Sequence, residues 1–354
     1  MDKDFGTLRG LISDPSQSEE WNEVFWDLLK RVSTEREKEY RDVWIPYCSE
    51  HKQTLKSLKK TVLSLGELEE WVKLAPFALF SLDLSGKEIG DEDCKALVKS
   101  PFLTHLYSLD LSENELYDDC CEELVKSPSL GNLQHLCLRG NSLGPLGCRI
   151  LSKSPYLNNL QTLDLGCCEI DEQSFVDLAN SPHMSNLRSL FLNGNPVRGL
   201  NGDNYGFDDP VEALANSPYL DNLQILDLSR NGINNEDCKK LANASSLSKL
   251  HTLSLRENDI GNEGCRELAN SPSFNGLQVL ELEDNFDIEA EGYLAIACSR
   301  HLSEEIRREY LESVEEEELF DRAREYGIEV TEENKQKERL AELIWQVVEQ
   351  KVKS

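Results

Sequence analysis

Two stretches of the chain read alike: Leu223-Gln224-Ile225-Leu226-Asp227-Leu228-Ser229-Arg230-Asn231-Gly232-Ile233 and Leu250-His251-Thr252-Leu253-Ser254-Leu255-Arg256-Glu257-Asn258-Asp259-Ile260. Both follow the pattern L-x-x-L-x-L-x-x-N-x-I. The first leucine recurs as Leu79, Leu106, Leu133, Leu160, Leu187, Leu223, Leu250 and Leu277, spaced by 27 residues except for one interval of 36. Eight copies at one period, with a single nine-residue insertion, make a repeat array.

Within a copy, L-x-L alternates, so its leucines face a core and the residues between them face out of a short strand. The asparagine follows the strand, where a short amide can bond backbone groups of the turn. It recurs as Asn114, Asn141, Asn195, Asn231, Asn258 and Asn285, with Lys87 and Cys168 as departures. Fifteen residues after the first leucine stands Cys94, Cys121, Cys148, Phe175, Cys238 or Cys265, and the insertion brings Val211 to that place. A leucine three residues on completes a helical stripe. Ser-Pro then ends most of these helices, because proline cannot continue one. Each copy is one strand and one helix, and only stacking hides its apolar face. Strands pack ~4.8 Å apart and helices ~8–10 Å apart, so the stack curves with its strands inside.

These repeats, over residues 79–298, resemble the ribonuclease-inhibitor-like class of leucine-rich repeat, which includes the Ran GTPase-activating proteins. The resemblance implies an α/β fold: a right-handed leucine-rich-repeat solenoid, or horseshoe. Its parallel β-sheet forms the concave face, its helices the convex face, and helical caps close both ends. Residues 1–78, ending Ala75-Pro76-Phe77 and running straight into Leu79, are similar to the tail of a helical companion domain that precedes such repeats in some bacteria. That implies a helical N-terminal cap and a bacterial source. Helical patterns are expected at 19–31, 35–40 and 55–65. Past the repeats, 299–354 reads as an acidic helical cap. A helix is expected over 313–326, and a last one capped by Thr331 carries the stripe Leu340, Leu343, Ile344, Val347 and Val348. That stripe serves either the cap or self-association.

The formal net charge is −29, of which residues 79–298 carry −20. An acidic array disfavours nucleic acid and anionic membrane and is complemented by a basic protein surface. No apolar run follows Met1-Asp2-Lys3-Asp4, which argues against a signal peptide, and no stretch is long enough to span a bilayer. Eleven cysteines form an odd set, and five occupy one packing position; this favours free thiols in a reducing cytoplasm.

The outward strand positions line up as columns across the concave wall. The first reads Asp83, Asp110, Cys137, Asp164, Phe191, Asp227, Ser254, Glu281. Arg139, Arg230 and Arg256 stand in the columns beside it. Aromatics and arginines anchor protein interfaces, so the candidate partner site is this wall with Phe191 at its centre. The insertion 198–210 brings Tyr205 and Phe207 as a flanking loop. Two chemical alternatives are weak. Asp83 and Asp110 would lie ~5 Å apart, as in a retaining glycosidase, but an open sheet offers no pocket to perturb them. His135, Cys137, Asp164 and Cys167 are metal-ligand types without metal-site spacing. No nucleotide, metalloprotease or hydrolase motif is present, so no cofactor and no catalysis are expected. The reading is a scaffold or adaptor that binds another protein. Regulation of a small GTPase is the alternative implied by the resemblance, and inhibition of a basic enzyme is a further one that rests on charge and thiol content.

Overall fold

The computed structural model describes residues 4, 7, 19–35, 40–50, 59–195, 209–331 and 335–352. Nine strands form one open parallel sheet in chain order: β1 Lys59–Val62, β2 Leu79–Asp83, β3 Leu106–Asp110, β4 His135–Cys137, β5 Thr162–Asp164, β6 Ser189–Phe191, β7 Ile225–Asp227, β8 Thr252–Ser254 and β9 Val279–Glu281. In β4 to β7 the middle residue is buried and its two neighbours are partly exposed. This is the alternation that L-x-L imposes on a strand with one face against a core. The other half of each coil is a helix. Before the repeats lie α1 Glu19–Glu35, α2 Ile45–Glu50 and α3 Leu65–Leu74; the repeats supply α4 Asp91–Val98, α5 Asp118–Lys126, α6 Gly144–Leu151, α7 Glu172–Ala179, α8 Pro210–Ala215, α9 Asn235–Ala242, α10 Asn262–Ala269 and α11 Ala290–Ala297. The chain is a leucine-rich-repeat solenoid of the α/β class.

The asparagine column holds the coils together. Asn258 Oδ1 accepts the N–H groups of Asn231 (2.9 Å) and Ile233 (3.0 Å), while its Nδ2 donates to Leu228 O at 3.0 Å. Each asparagine thereby satisfies backbone groups of the coil before it that the short strands leave unpaired. Where the column departs from asparagine, the Cys168 thiol donates to Leu138 O at 3.1 Å. The serine of Ser-Pro does more than end a helix. The hydroxyls of Ser217 and Ser271 donate to Ala179 O and Ala242 O, each at 2.5 Å, tying one helix end to the previous one; Ser299, which no proline follows, bonds Ala269 O in the same way.

The recurring thiol position is fully buried at Cys94, Cys121, Cys148, Cys238 and Cys265. Burial pushes the Cys265 thiol up to about 12, because the thiolate would lose its hydration. Cys94 departs from the expected set of free thiols: it is disulfide-bonded to Cys120, which stands one residue before the recurring position on the next helix. α4 and α5 bring those two Cα atoms to 5.7 Å, so the linkage crosses coils. Among the described residues no helix is long and apolar enough to cross a membrane.

The N-terminal flank differs from expectation. The pattern at 55–65 is not one helix: residues 59–62 are β1 and the helix that follows begins at Leu65. β-Branched Thr61 and Val62 suit a strand, and the pairing of β1 with β2 covers the first repeat's open edge. Lys60 pairs with Phe80, and its Nζ lies 4.3 Å from the centre of the Trp71 ring. Trp26 packs edge-on against Trp71 at 5.2 Å, sealing the cap. The extra strand changes the first repeat as well. A register shift between Phe80 and Ser81 matches Phe80, not Leu79, with Leu106. Phe80 therefore fills the core and Leu79 is 37% exposed.

At the other end an unexpected helix, α12 Glu304–Glu312, precedes the one expected over 313–326, which is present as α13 Glu316–Glu325. Gly327, at φ +72°, follows the second. The last helix, α14 Lys337–Val352, starts six residues beyond Thr331. Tyr310 of α12 donates to Leu280 O at 2.8 Å, and its ring stacks on Tyr293. Leu340 and Ile344 of α14 are buried within the chain, while Leu343 and Val347 are half-buried.

Candidate concave binding face

Strand register sets the wall. Asp83, Asp110, Cys137, Asp164, Phe191, Asp227, Ser254 and Glu281 are matched pairwise from β2 to β9 and form one unbroken column. Tyr205 and Phe207 lie outside the described residues.

The aspartates of this column have a local role. Asp83 Oδ1 accepts both the N–H (3.0 Å) and the hydroxyl (2.7 Å) of Ser85; Asp110 with Ser112 and Asp227 with Ser229 repeat the arrangement. Each closes the strand-to-turn step by bonding two residues ahead, an Asx-turn. At Asp164 the residue two ahead is Gly166, so only the backbone bond is made, at 2.9 Å. The two carboxyls therefore titrate in opposite directions. The Ser85 hydroxyl and N–H hold the Asp83 carboxyl below its ordinary value, whereas burial raises Asp164. Asp83 favours the folded state above the unfolded aspartate pKa of about 3.9 and loses that effect as pH falls through its lower folded pKa. Asp164 opposes folding above its raised folded pKa, and that opposition fades on acidification. Carbon-13 titration of the side-chain carboxyls is expected to place the Asp83 midpoint below and the Asp164 midpoint above 3.9. Coincident midpoints are incompatible with these bonds.

The residue just before the asparagine position, which Lys87 and Cys168 fill in two repeats, sits in the left-handed region in all eight: Gly86, Glu113, Gly140, Cys167, Gly194, Arg230, Glu257 and Asp284. Three are glycine, which adopts this conformation freely; the other five each cost about 1 kcal/mol. That column holds charges along the rim. The three arginines are ion-paired across coils: Arg139 with Glu113 at 3.9 Å, Arg230 with Glu257 at 2.5 Å and Arg256 with Glu283 at 3.8 Å. Such exposed pairs contribute little to stability, since water and salt screen them. They engage the arginines, and Asp83, Asp110, Asp227 and Glu281 have no part in these pairs; Arg139 also attracts the Asp164 carboxylate, and Arg230 that of Asp284. A two-serine bridge links part of this acidic row: Ser229 Oγ lies 2.8 Å from Ser254 Oγ, which donates to Glu281 at 2.6 Å.

Sequence reasoning missed part of the apolar surface. The strand position two residues before the acidic column brings Ile225, half-buried, and Val279, 41% exposed, onto the same wall as Phe191. Beyond it, Phe286 is 93% exposed, since one extra residue between Asn285 and Ile288 pushes it out of the repeat. Counting residues between those two core positions was the available signal.

The metal-ligand types do not converge. His135 Nδ1 lies 3.0 Å from Thr162 Oγ1, and the Cys137 thiol is 3.7 Å from Asp164 Oδ2. Among the described residues no group of three or more His, Cys, Asp and Glu side chains is placed to hold a metal ion. The Cys137 thiol is pushed up to about 12, burial being the main cause, which suppresses the thiolate that a metal or a nucleophilic step requires.

A family model described as a leucine rich repeat matches the chain at residues 156–172, 220–242 and 246–269. No curated protein matches it. Leucine-rich repeats generally mediate contact between proteins and are generally non-enzymatic.

Proposed function

We propose that the chain is an interaction scaffold whose concave wall docks a partner protein through a basic surface. Phe191 with Ile225 and Val279 supplies the apolar centre, and the column from Asp83 to Glu281 supplies the charge. The observation that carries this reading is the pairing of all three wall arginines with glutamates, which leaves an acidic row beside an apolar patch. Steering by such a row raises the association rate and weakens with salt. Inhibition of a basic enzyme is a narrower form of the same reading and uses the same wall. No arrangement of wall residues singles out a small GTPase.

The test uses substitutions that spare the fold. Asp110→Asn and Asp227→Asn keep a side-chain oxygen for the turn while removing charge, and Phe191→Ala removes the apolar centre. Proteins captured by the wild type are expected to be basic, to elute with rising salt, and to bind the triple variant at least ~10-fold more weakly. Equal capture by the triple variant overturns the reading.

A further inference from the structure

The edge of the sheet where the chain enters each strand differs chemically from the acidic wall. Gln134, Gln161 and Arg188 occupy one position in consecutive repeats. A backbone ladder aligns them: Gln134 N donates to Tyr107 O at 2.8 Å, Gln161 N to Gln134 O at 2.7 Å and Arg188 N to Gln161 O at 2.8 Å. The row continues through Gln224, His251 and Gln278 and contains no carboxylate. Beside it lies a groove of about 350 Å³, with Gln134, Gln161 and Arg188 among its walls. Asn132, Asn159 and Asn186 line the groove too, and each is fixed by an Nδ2 bond to the preceding repeat, on Thr104 O, Gly131 O and Asn158 O. Those bonds leave the three Oδ1 atoms as positioned acceptors. The side chains of Gln134, Gln161 and Arg188 make no hydrogen bond or ion pair with any described residue.

We infer that this groove is a second binding site, for a carboxylate carried on an extended peptide. It does not rest on the acidic-wall reading. Arg188 has no ion partner among the described residues of a chain of net charge −29, and a guanidinium takes a carboxylate in a two-point fork. The glutamine amides each offer a donor and an acceptor at the strand spacing of ~4.8 Å, suited to peptide N–H and C=O groups. Leu79, displaced outward by the register shift of β2, lines the far part of the groove and takes an aliphatic side chain. The lining contains no aromatic ring, so the stacking surface that a sugar would use is missing.

The experiment follows the Arg188 Nε–H resonance, identified by its loss in Arg188→Gln, during titration with blocked tetrapeptides. Acetyl-Leu-Ala-Glu-Ala-amide carries a side-chain carboxylate, acetyl-Leu-Ala-Gln-Ala a free C-terminal one, and acetyl-Leu-Ala-Gln-Ala-amide neither. A saturable shift is expected with one or both carboxylate peptides and none with the third; which peptide acts identifies the carboxylate's source. Gln134→Ala with Gln161→Ala is expected to weaken the peptide at least ~10-fold and to leave the response to sodium acetate unchanged. Three results overturn the inference: no shift at millimolar peptide, equal responses to peptide and acetate, or a response to a glucose oligosaccharide in place of the peptide. The Asp110→Asn, Asp227→Asn, Phe191→Ala protein keeps this groove and is expected to respond as wild type, which separates failure here from failure of the wall.

Discussion

Replacing Asn195 by alanine is expected to lower the unfolding free energy by about 4 kcal/mol, the largest effect of any single amide in the array. Asn195 is fully buried. Its Oδ1 accepts Cys168 N at 3.0 Å and Ile170 N at 3.3 Å, and its Nδ2 donates to Leu165 O at 2.8 Å and Leu192 O at 2.9 Å. Alanine strands three of these backbone groups, Cys168 N, Ile170 N and Leu165 O, while Leu192 O keeps its bond from Asn231 Nδ2 at 3.1 Å. Each stranded group costs about 1–3 kcal/mol, and a water in the vacated volume offsets part of the sum. The effect reads as a lower denaturant midpoint with an unchanged slope. A loss under about 1 kcal/mol means that the coils cohere by leucine packing alone. An exposed asparagine such as Asn159, which holds one carbonyl rather than four groups, is the matched control.

The same column shows how much of the architecture was legible in the sequence. The period, the inward leucines, the asparagine after each strand and the buried thiol row are written at fixed spacing, and coils built alike must stack alike. What was not legible depends on contacts between coils or on breaks in the count. β1 is four residues long, too short for periodicity, and is a strand because β2 offers an edge. Leu79 and Phe80 are both apolar, and only the register shift decides which faces the core. α12 was overlooked because Glu304, Glu305, Arg307, Arg308 and Glu309 outnumber its buried Ile306, Tyr310 and Leu311.

The candidate site was legible in position but not in chemistry. The aspartate column was expected, and it is there; its engagement with Ser85, Ser112 and Ser229 is geometric and shows that the same carboxylates shape the turns they decorate. The arginines were expected as anchors, whereas each is spent on a glutamate of a neighbouring repeat. The Gln134–Gln161–Arg188 row escaped notice because it precedes the strands, where a single repeat shows only one polar residue.

Ile344→Asp is expected to destabilise the chain by more than about 4 kcal/mol, while Gln346→Asp on the same helix changes stability by less than about 0.5 kcal/mol. Ile344 is fully buried and Gln346 is exposed. A carboxylate at position 344 has no partner among the apolar groups around it, so it must either stay charged without water or pull α14 from its seat. That seat is on α11 and α12, with α13 alongside. Release of α14 uncovers the layer below, where Tyr310 joins α12 to the last strand through Leu280 O. A solenoid's final repeat has no successor to cover it, so the stability of the whole end depends on these helices. Were α14 instead a docking helix resting loosely on the array, both aspartates would leave the denaturation midpoint unchanged, and Ile344→Asp would affect association alone. The two substitutions thus separate a cap from a partner-binding arm by stability alone, with no partner in hand.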